Sequence, residues 1–155
     1  MELEGNAWKA LELAQPFEVR SYSELSYEFK LLEIAIGHAI CADDDVDPFP
    51  YRGINRRCVA LGGSNVQNWN NELIVTKYQS NSFNSVIKLT DLFDGGIGKI
   101  KYISLIQDND SQPKKGRSRF SNIRLYNRNT SAIDAVVRDA PQRPDKLYNQ
   151  LFYRE

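Results

Sequence analysis

Between Lys99 and Asn127 the chain reads KIKYISLIQDNDSQPKKGRSRFSNIRLYN, and this stretch constrains the fold more than any other. Residues 100 to 106 are rich in β-branched and aromatic side chains, and near Ile103 their alternation gives way to apolar residues on both faces. A strand covered on one side alternates, whereas a strand covered on both sides loses its polar face, so the pattern predicts a central strand. After Gln107 the composition turns abruptly to Asp108, Asn109, Asp110, Ser111, Gln112 and Pro113. The basic run Lys114, Lys115, Arg117 and Arg119 follows, and then a second alternating segment to Asn127. Strand, charged connection and strand is the implied order, and any chemistry belongs on the connection.

The flanking sequence supports the same class. Residues 7 to 15, AWKALELAQ, fit a short helix closed by Pro16 or a strand continued by Phe17-Glu18-Val19. Leu25, Tyr27, Phe29 and Leu31 share one strand face before the pattern slips by one to Leu32, Ile34 and Ile36. Such a slip in a period of two marks a bulge or bend, although Leu and Glu are frequent enough there for a helix. Residues 42 to 53, with four aspartates and two prolines, read as a loop. Arg57 to Leu61 reads as a short strand turned by Gly62-Gly63-Ser64-Asn65. Glu72 to Tyr78 and Ser85 to Leu89 read as a hairpin, Ala132 to Val137 as a last strand, and Asp145 to Arg154 as either helix or strand. The expectation is an all-β fold: an antiparallel β-sandwich with little helix, in one domain over residues 1–155. A chain of 155 residues is long enough to bury a sizeable core, roughly 70% of its unfolded surface.

Charge narrows the partners. The 20 basic and 20 acidic residues cancel, so binding to nucleic acid or an anionic membrane would have to be local. The longest apolar run, Leu31 to Ile36, is interrupted by Glu33 and falls far short of the roughly 20 residues that span a bilayer. The acidic start MELEGNAWK lacks an apolar signal core, which makes the cytoplasm the default location and Cys41 and Cys58 free, buried thiols. On that reading the glycosylation patterns at Asn109 and Asn129 are coincidence.

The order of segments in the second half resembles the tellurium-resistance TerD-like family of stress-response β-sandwiches. Its carriers are Ile87-Lys88-Leu89, the strand from Lys99 to Asp108, the charged loop, and Phe120-Ser121-Asn122-Ile123-Arg124-Leu125-Tyr126-Asn127, with Leu147, Leu151, Tyr153 and Arg154 near the end. Gln107 replaces the family's histidine, while Asp108, Phe120, Ile123 and Arg124 keep their places. The resemblance covers residues 85 to 155 and implies a non-catalytic stress-response domain that binds calcium. The calcium motifs are degraded, however. Tyr27-Glu28-Phe29-Lys30 brings a lysine where a cation would sit, and Asn81 to Ser85 holds no carboxylate, whereas calcium takes six to eight oxygens, several of them anionic.

Three clusters remain as candidate sites. Asp43, Asp45 and Asp47, with Asp44, form the densest acidic run and the place to which a weakened calcium site would move, although the glycine and closing glutamate of an EF-hand are absent. Asp108 and Asp110, at the end of the central strand, are either paired carboxylates or metal ligands, or Asp108 shapes the turn by accepting backbone N–H bonds. Lys114, Lys115, Arg117 and Arg119 make a cationic finger around Gly116 suited to phosphate, but without the stacked aromatics that read single-stranded nucleic acid. His38, Cys41 and Cys58 fall short of a zinc pattern, and a strand spacing of three puts His38 and Cys41 on opposite faces. No nucleophile, base and oxyanion donor occur together, so the expected function is binding to a protein or small anion, with no enzyme activity and no membrane contact. Calcium is the one cofactor implied. The alternatives are a phosphate or nucleic-acid module using the basic loop and a structural sandwich of a virus or phage particle.

Overall fold

The structure, a computed structural model, describes residues 1–45, 57–64, 74–75, 82–93, 98–109, 115–128 and 135–136. Its strands are β1 (Glu2–Glu4), β2 (Ala7–Glu18), β3 (Ser23–Glu33), β4 (Gly37–Asp43), β5 (Cys58–Gly62), β6 (Ile74–Val75), β7 (Ser82–Lys88), β8 (Lys99–Asp108), β9 (Arg117–Asn127) and β10 (Ala135–Val136). One four-residue helix, α1 (Leu89–Leu92), is the only helix among the described residues. The strands form two sheets: β1-β9-β3-β7, with β10 also on β9, and β2-β8-β4-β5-β6. All pairings are antiparallel except the short β5–β6 contact. This is the expected all-β sandwich.

Strands β8 and β9, the two strands of the Lys99–Asn127 stretch, lie in opposite sheets. The same holds for β1 and β2, β2 and β3, β3 and β4, β6 and β7, and β7 and β8, so the chain crosses the sandwich repeatedly. Their inward residues meet in one core that includes Leu11, Leu25, Tyr27, Phe29, Ile40, Ile100, Ile103, Leu105, Phe120 and Leu125. Phe29 on β3 is opposed to Phe120 on β9, and the rings meet edge to face with centroids 5.1 Å apart. From the other sheet, His38 approaches Phe29 in the same manner at 5.6 Å.

Strand β4 is buried along its whole length, as is β5, and β8 is buried on both faces from Ile103 to Gln107. The loss of alternation near Ile103 has this origin. Core-facing Ile103 and Leu105 are matched on the opposite face by Ile106, which joins Ala39, Cys41, Cys58, Ala60 and Trp8 in a second, smaller apolar cluster.

Two irregularities reset the alternation. Between Leu31 and Glu33 the pairing of β3 with β9 shifts, so Leu32 is the extra residue that the sequence pattern anticipates. On β9 a second shift lets Ser118 and Phe120 point inward and then Ile123 and Leu125, with Asn122 between them at φ 51°. Asparagine tolerates this left-handed conformation better than most side chains.

One open reading is decided and two expectations need correction. Residues 7 to 15 belong to a strand, because Trp8, Lys9 and Leu11 pair with Ile106, Leu105 and Ile103, and Pro16 sits where the pairing between Glu12 and Phe17 is interrupted. Propensity for helix loses there to an edge position beside β8, and a proline lacking N–H is accommodated at the irregularity. The proposed hairpin does not form: β6 lies beside β5 in one sheet and β7 beside β3 in the other. Cys41 and Cys58 are buried as expected but joined in a disulfide, since β4 and β5 place them directly opposite one another.

Replacing Phe120 by Ala should cost about 3–5 kcal/mol by removing one ring of the Phe29 stack and leaving a cavity. Val86→Ala, at a position 57% exposed, should change stability by less than about 0.5 kcal/mol. Urea unfolding of the two variants measures both.

Candidate functional site

One end of the sandwich collects three of the crossing connections, β1–β2, β3–β4 and β8–β9, and buried amides hold the first and the last of them. Gln107, the last inward residue of β8, is fully buried. Its amide nitrogen donates to the carbonyls of Gly5 and Gly116, each at 2.8 Å, and its carbonyl accepts from the Ser118 hydroxyl at 2.8 Å. One side chain thus ties β8 to the β1–β2 turn and to the start of β9. Asn109, also buried, donates its amide to the Lys115 carbonyl, while its backbone N–H donates to Asn6 Oδ1. The two ends of the charged loop are therefore held together by Asn109, and Gly5 N–H donates to Gly116 O at 3.0 Å.

Close backbone approach explains the glycines. Gly116 has φ 113°, and a Cβ there would stand 2.7 Å from the Ala35 Cβ. Gly63 has φ 148°, and its Cβ would meet the Gly37 Cα at 2.6 Å. With Gly5 and Gly62, these are all the positive-φ glycines among the described residues, and they cluster at this end. At Gly63 and Gly116 an L side chain is disfavoured both by conformation and by space.

The acidic candidates are not brought together. Asp108 pairs with Gly37 and Asp43 with Tyr102 on the antiparallel β4–β8 ladder, so the two aspartates lie at opposite ends of the sheet. Six residue steps separate them along β4, roughly 20 Å at about 3.3 Å per residue. At the Asp43 end, the Arg57 guanidinium stands 2.7 Å from Asp43 and 2.9 Å from Asp44, and it stacks over the Phe93 ring at 4.2 Å from the centroid. A cation bound to Asp43 would have to displace it. Burial, reinforced by the Asp44 carboxyl, pushes Asp43 up to about 6, while the bond to Asp43 lowers Asp44. Asp45 is exposed. Asp47 and Asp110 lie outside the described residues. Among the described residues no three His, Cys, Asp or Glu side chains are grouped to hold a metal ion.

The basic candidates divide in the same way. Lys115 is exposed beside the anchored loop base. Arg117 and Arg119 project from the outer face of β9, and both pair with Glu2 of β1 at 2.9 Å. Hydrogen bonding to Arg119 is the main reason that the Glu2 carboxyl is lowered. Lys114 lies outside the described residues. Glu28 on β3 accepts from the Ser121 hydroxyl at 2.9 Å, and bonding to Asn122 and Ser121 lowers it.

His38 and Gln107 carry more of this end than the sequence suggested. They are directly paired across β4 and β8, and both are fully buried. His38 Nε2 accepts from Ala35 N–H at 3.3 Å, its Nδ1 has no hydrogen-bond partner, and burial pushes the imidazole down to about 4. Cys41 lies on the other face and is oxidised, so no Cys-His nucleophilic pair exists. The signal for Gln107 was a polar residue directly after an apolar run at a core parity. No comparable signal marks Asn109.

The sequence matches no protein-family model, and no match was found among curated proteins or solved structures.

Gln107→Leu strands the Gly5 carbonyl and the Ser118 hydroxyl and should cost about 2–3 kcal/mol in urea unfolding. His38 gives a pH test. An unfolded chain protonates it near 6.5 and the folded protein only near 4. Between those values the unfolded state holds more protons, so stability falls as pH falls, by about 3 kcal/mol from pH 7 to pH 4. Asp43, raised from 3.8 to about 6, acts in the opposite direction over much of that window. The chain has a single histidine, so its imidazole NMR signals isolate the effect. A folded-state midpoint near 6.5 would contradict this burial.

Proposed function

We propose that the chain is a non-catalytic binding domain, of the kind that the resemblance to TerD-like stress-response domains implies. It would meet its ligand at the end where the β1–β2, β3–β4 and β8–β9 connections converge. The carrying observation is the Gln107 clamp, because loops that contact a ligand need a rigid frame and the β1–β2 and β8–β9 connections are anchored at their bases by this buried amide. Calcium is not the ligand in this reading, since Arg57 already neutralises the acidic run at Asp43 and Asp44.

A second reading, anion binding by the basic loop, is supported by the exposure of Lys115 next to that anchored base. Arg117 and Arg119 contribute little to it while Glu2 bridges them. Lys114 and Lys115 then carry the attraction, and a small anion or a phosphate backbone is the matching partner. The cytoplasmic location expected from the N-terminal composition conflicts with the Cys41–Cys58 disulfide. No helix among the described residues is long and apolar enough to cross a membrane.

Melting with and without millimolar calcium tests the first point. No shift is expected, and a rise in Tm that Asp43→Asn removes would restore the calcium reading. Filter binding to a short oligonucleotide across a salt series tests the second. Binding through the loop should show a log–log slope that flattens by about 2 in the Lys114→Ala/Lys115→Ala variant. A slope that the variant leaves unchanged removes the loop as the anion site. Turnover of a phosphoester or carboxylic ester substrate that is lost in Asp108→Asn would overturn the non-catalytic reading.

A further inference from the structure

We propose that the Cys41–Cys58 disulfide is a structural latch closed during folding, and that the protein matures and works in an oxidising compartment. The inference rests on the fold and is independent of the ligand. Cys41 on β4 and Cys58 on β5 are directly opposed, and their residues are 0% and 1% exposed. They sit on the face of the sheet turned away from the main core, in the small cluster with Ala39, Ala60, Ile106 and Trp8.

Location in the sheet gives the bond its role. The chain leaves β4 at Asp43 and returns in β5 at Cys58, so the cross-link spans 17 residues and closes where the return begins. Among the described residues β5 is held by β4 on one side and by the two-residue β6 on the other. A covalent tie at this point restricts the unfolded chain and fixes the β4–β5 register. The same β4–β5 ladder is irregular between His38 and Ala39, and the cross-link holds its regular part at Cys41 and Cys58.

Burial separates a latch from a switch. Thiol–disulfide exchange requires a thiolate to reach a sulfur, and both sulfurs lie inside a packed sheet. Reduction therefore needs β5 to separate from β4. His38 offers no activating base, because it projects into the main core on the opposite face of β4. Formation is an exchange with an acceptor disulfide, such as that of glutathione or of a thiol oxidase. The two thiols lose two protons and two electrons, the Sγ–Sγ bond forms, and the acceptor's S–S bond breaks to give two thiols. Disulfides of this kind persist outside the reducing cytosol.

The test uses the full chain produced by export to an oxidising periplasm and, separately, in a reducing cytoplasm. The exported protein should show no thiol reactive towards Ellman's reagent in denaturant, and two after reduction. Under native conditions it should resist millimolar reduced glutathione and yield only when urea is added. Reduced protein should melt roughly 5–10 °C lower than oxidised protein. Cys41→Ala/Cys58→Ala should match the reduced form; if that variant does not fold, the wild-type reduced and oxidised melts decide. Two thiols in the exported protein, or equal melting of the two forms, would overturn the latch. Rapid reversible reduction of the native protein by glutathione would also overturn it, and would make the pair a redox switch.

Discussion

The buried amide of Gln107 is the interaction on which the rest of this sandwich depends. Burial of aliphatic and aromatic side chains draws the two sheets together but has no direction of its own. A hydrogen-bonded side chain between them has direction. Gln107 projects from β8 in one sheet, receives Ser118 from β9 in the other, and holds both the β1–β2 turn and the loop leading into β9. Each polar atom of the amide that faces protein is used, so the group is buried without the penalty of an unpaired donor. His38, its neighbour across β4, has one nitrogen unbonded and is held neutral by its surroundings. The pair shows the two outcomes of placing polar atoms in a core: a satisfied group that specifies geometry, and an unsatisfied one that ties stability to pH.

Electrostatics elsewhere is settled by neighbours within one or two strands. Arg57 lies between Asp43 and Asp44, and Glu2 lies between Arg117 and Arg119. Arg128 pairs with Glu24, and Glu28 accepts from Ser121. Clusters of one sign in the sequence become mixed surfaces in three dimensions, because adjacent strands bring the opposite charge from distant positions. Asp43 and Asp44 in the acidic run and Arg117 and Arg119 in the basic finger are paired in this way. Of the described basic candidates, Lys115 is exposed and stands outside the ion pairs that hold Arg117 and Arg119.

The fold class was legible because period-two patterning is strong from Leu25 to Leu31, from Arg117 to Phe120 and again from Ile123 to Asn127, and because apolar residues on both faces marked β8 as central. The bulge at Leu32 was legible for the same reason. Residues 7 to 15 were not, since Ala, Leu, Glu and Lys favour a helix locally and only the ladder to Ile103–Gln107 decides otherwise. The false hairpin arose from spacing alone, which does not reveal that β6 and β7 enter different sheets. Disulfide pairing depended on β4 and β5 being neighbours, a tertiary fact outside the reach of composition. The placement of Asp43 and Asp108 at opposite ends of the β4–β8 ladder likewise follows from strand direction, and the separation of the two acidic candidates could be read only after the topology was known.

The bulge at Asn122 has a consequence for chain length. Up to Phe120 the core residues of β9 fall on even positions, and from Ile123 onward they fall on odd ones, so the strand carries one residue more than a regular ladder needs. Excising Asn122 would restore uniform parity with Phe120, Ile123 and Leu125 all still facing inward. A deletion on either side of the bulge would instead force the remaining residues to choose between core and solvent. Strand β9 thus has a built-in site where homologues or engineered variants can lose a residue, and its outer surface can be redrawn there while the packed face stays in phase.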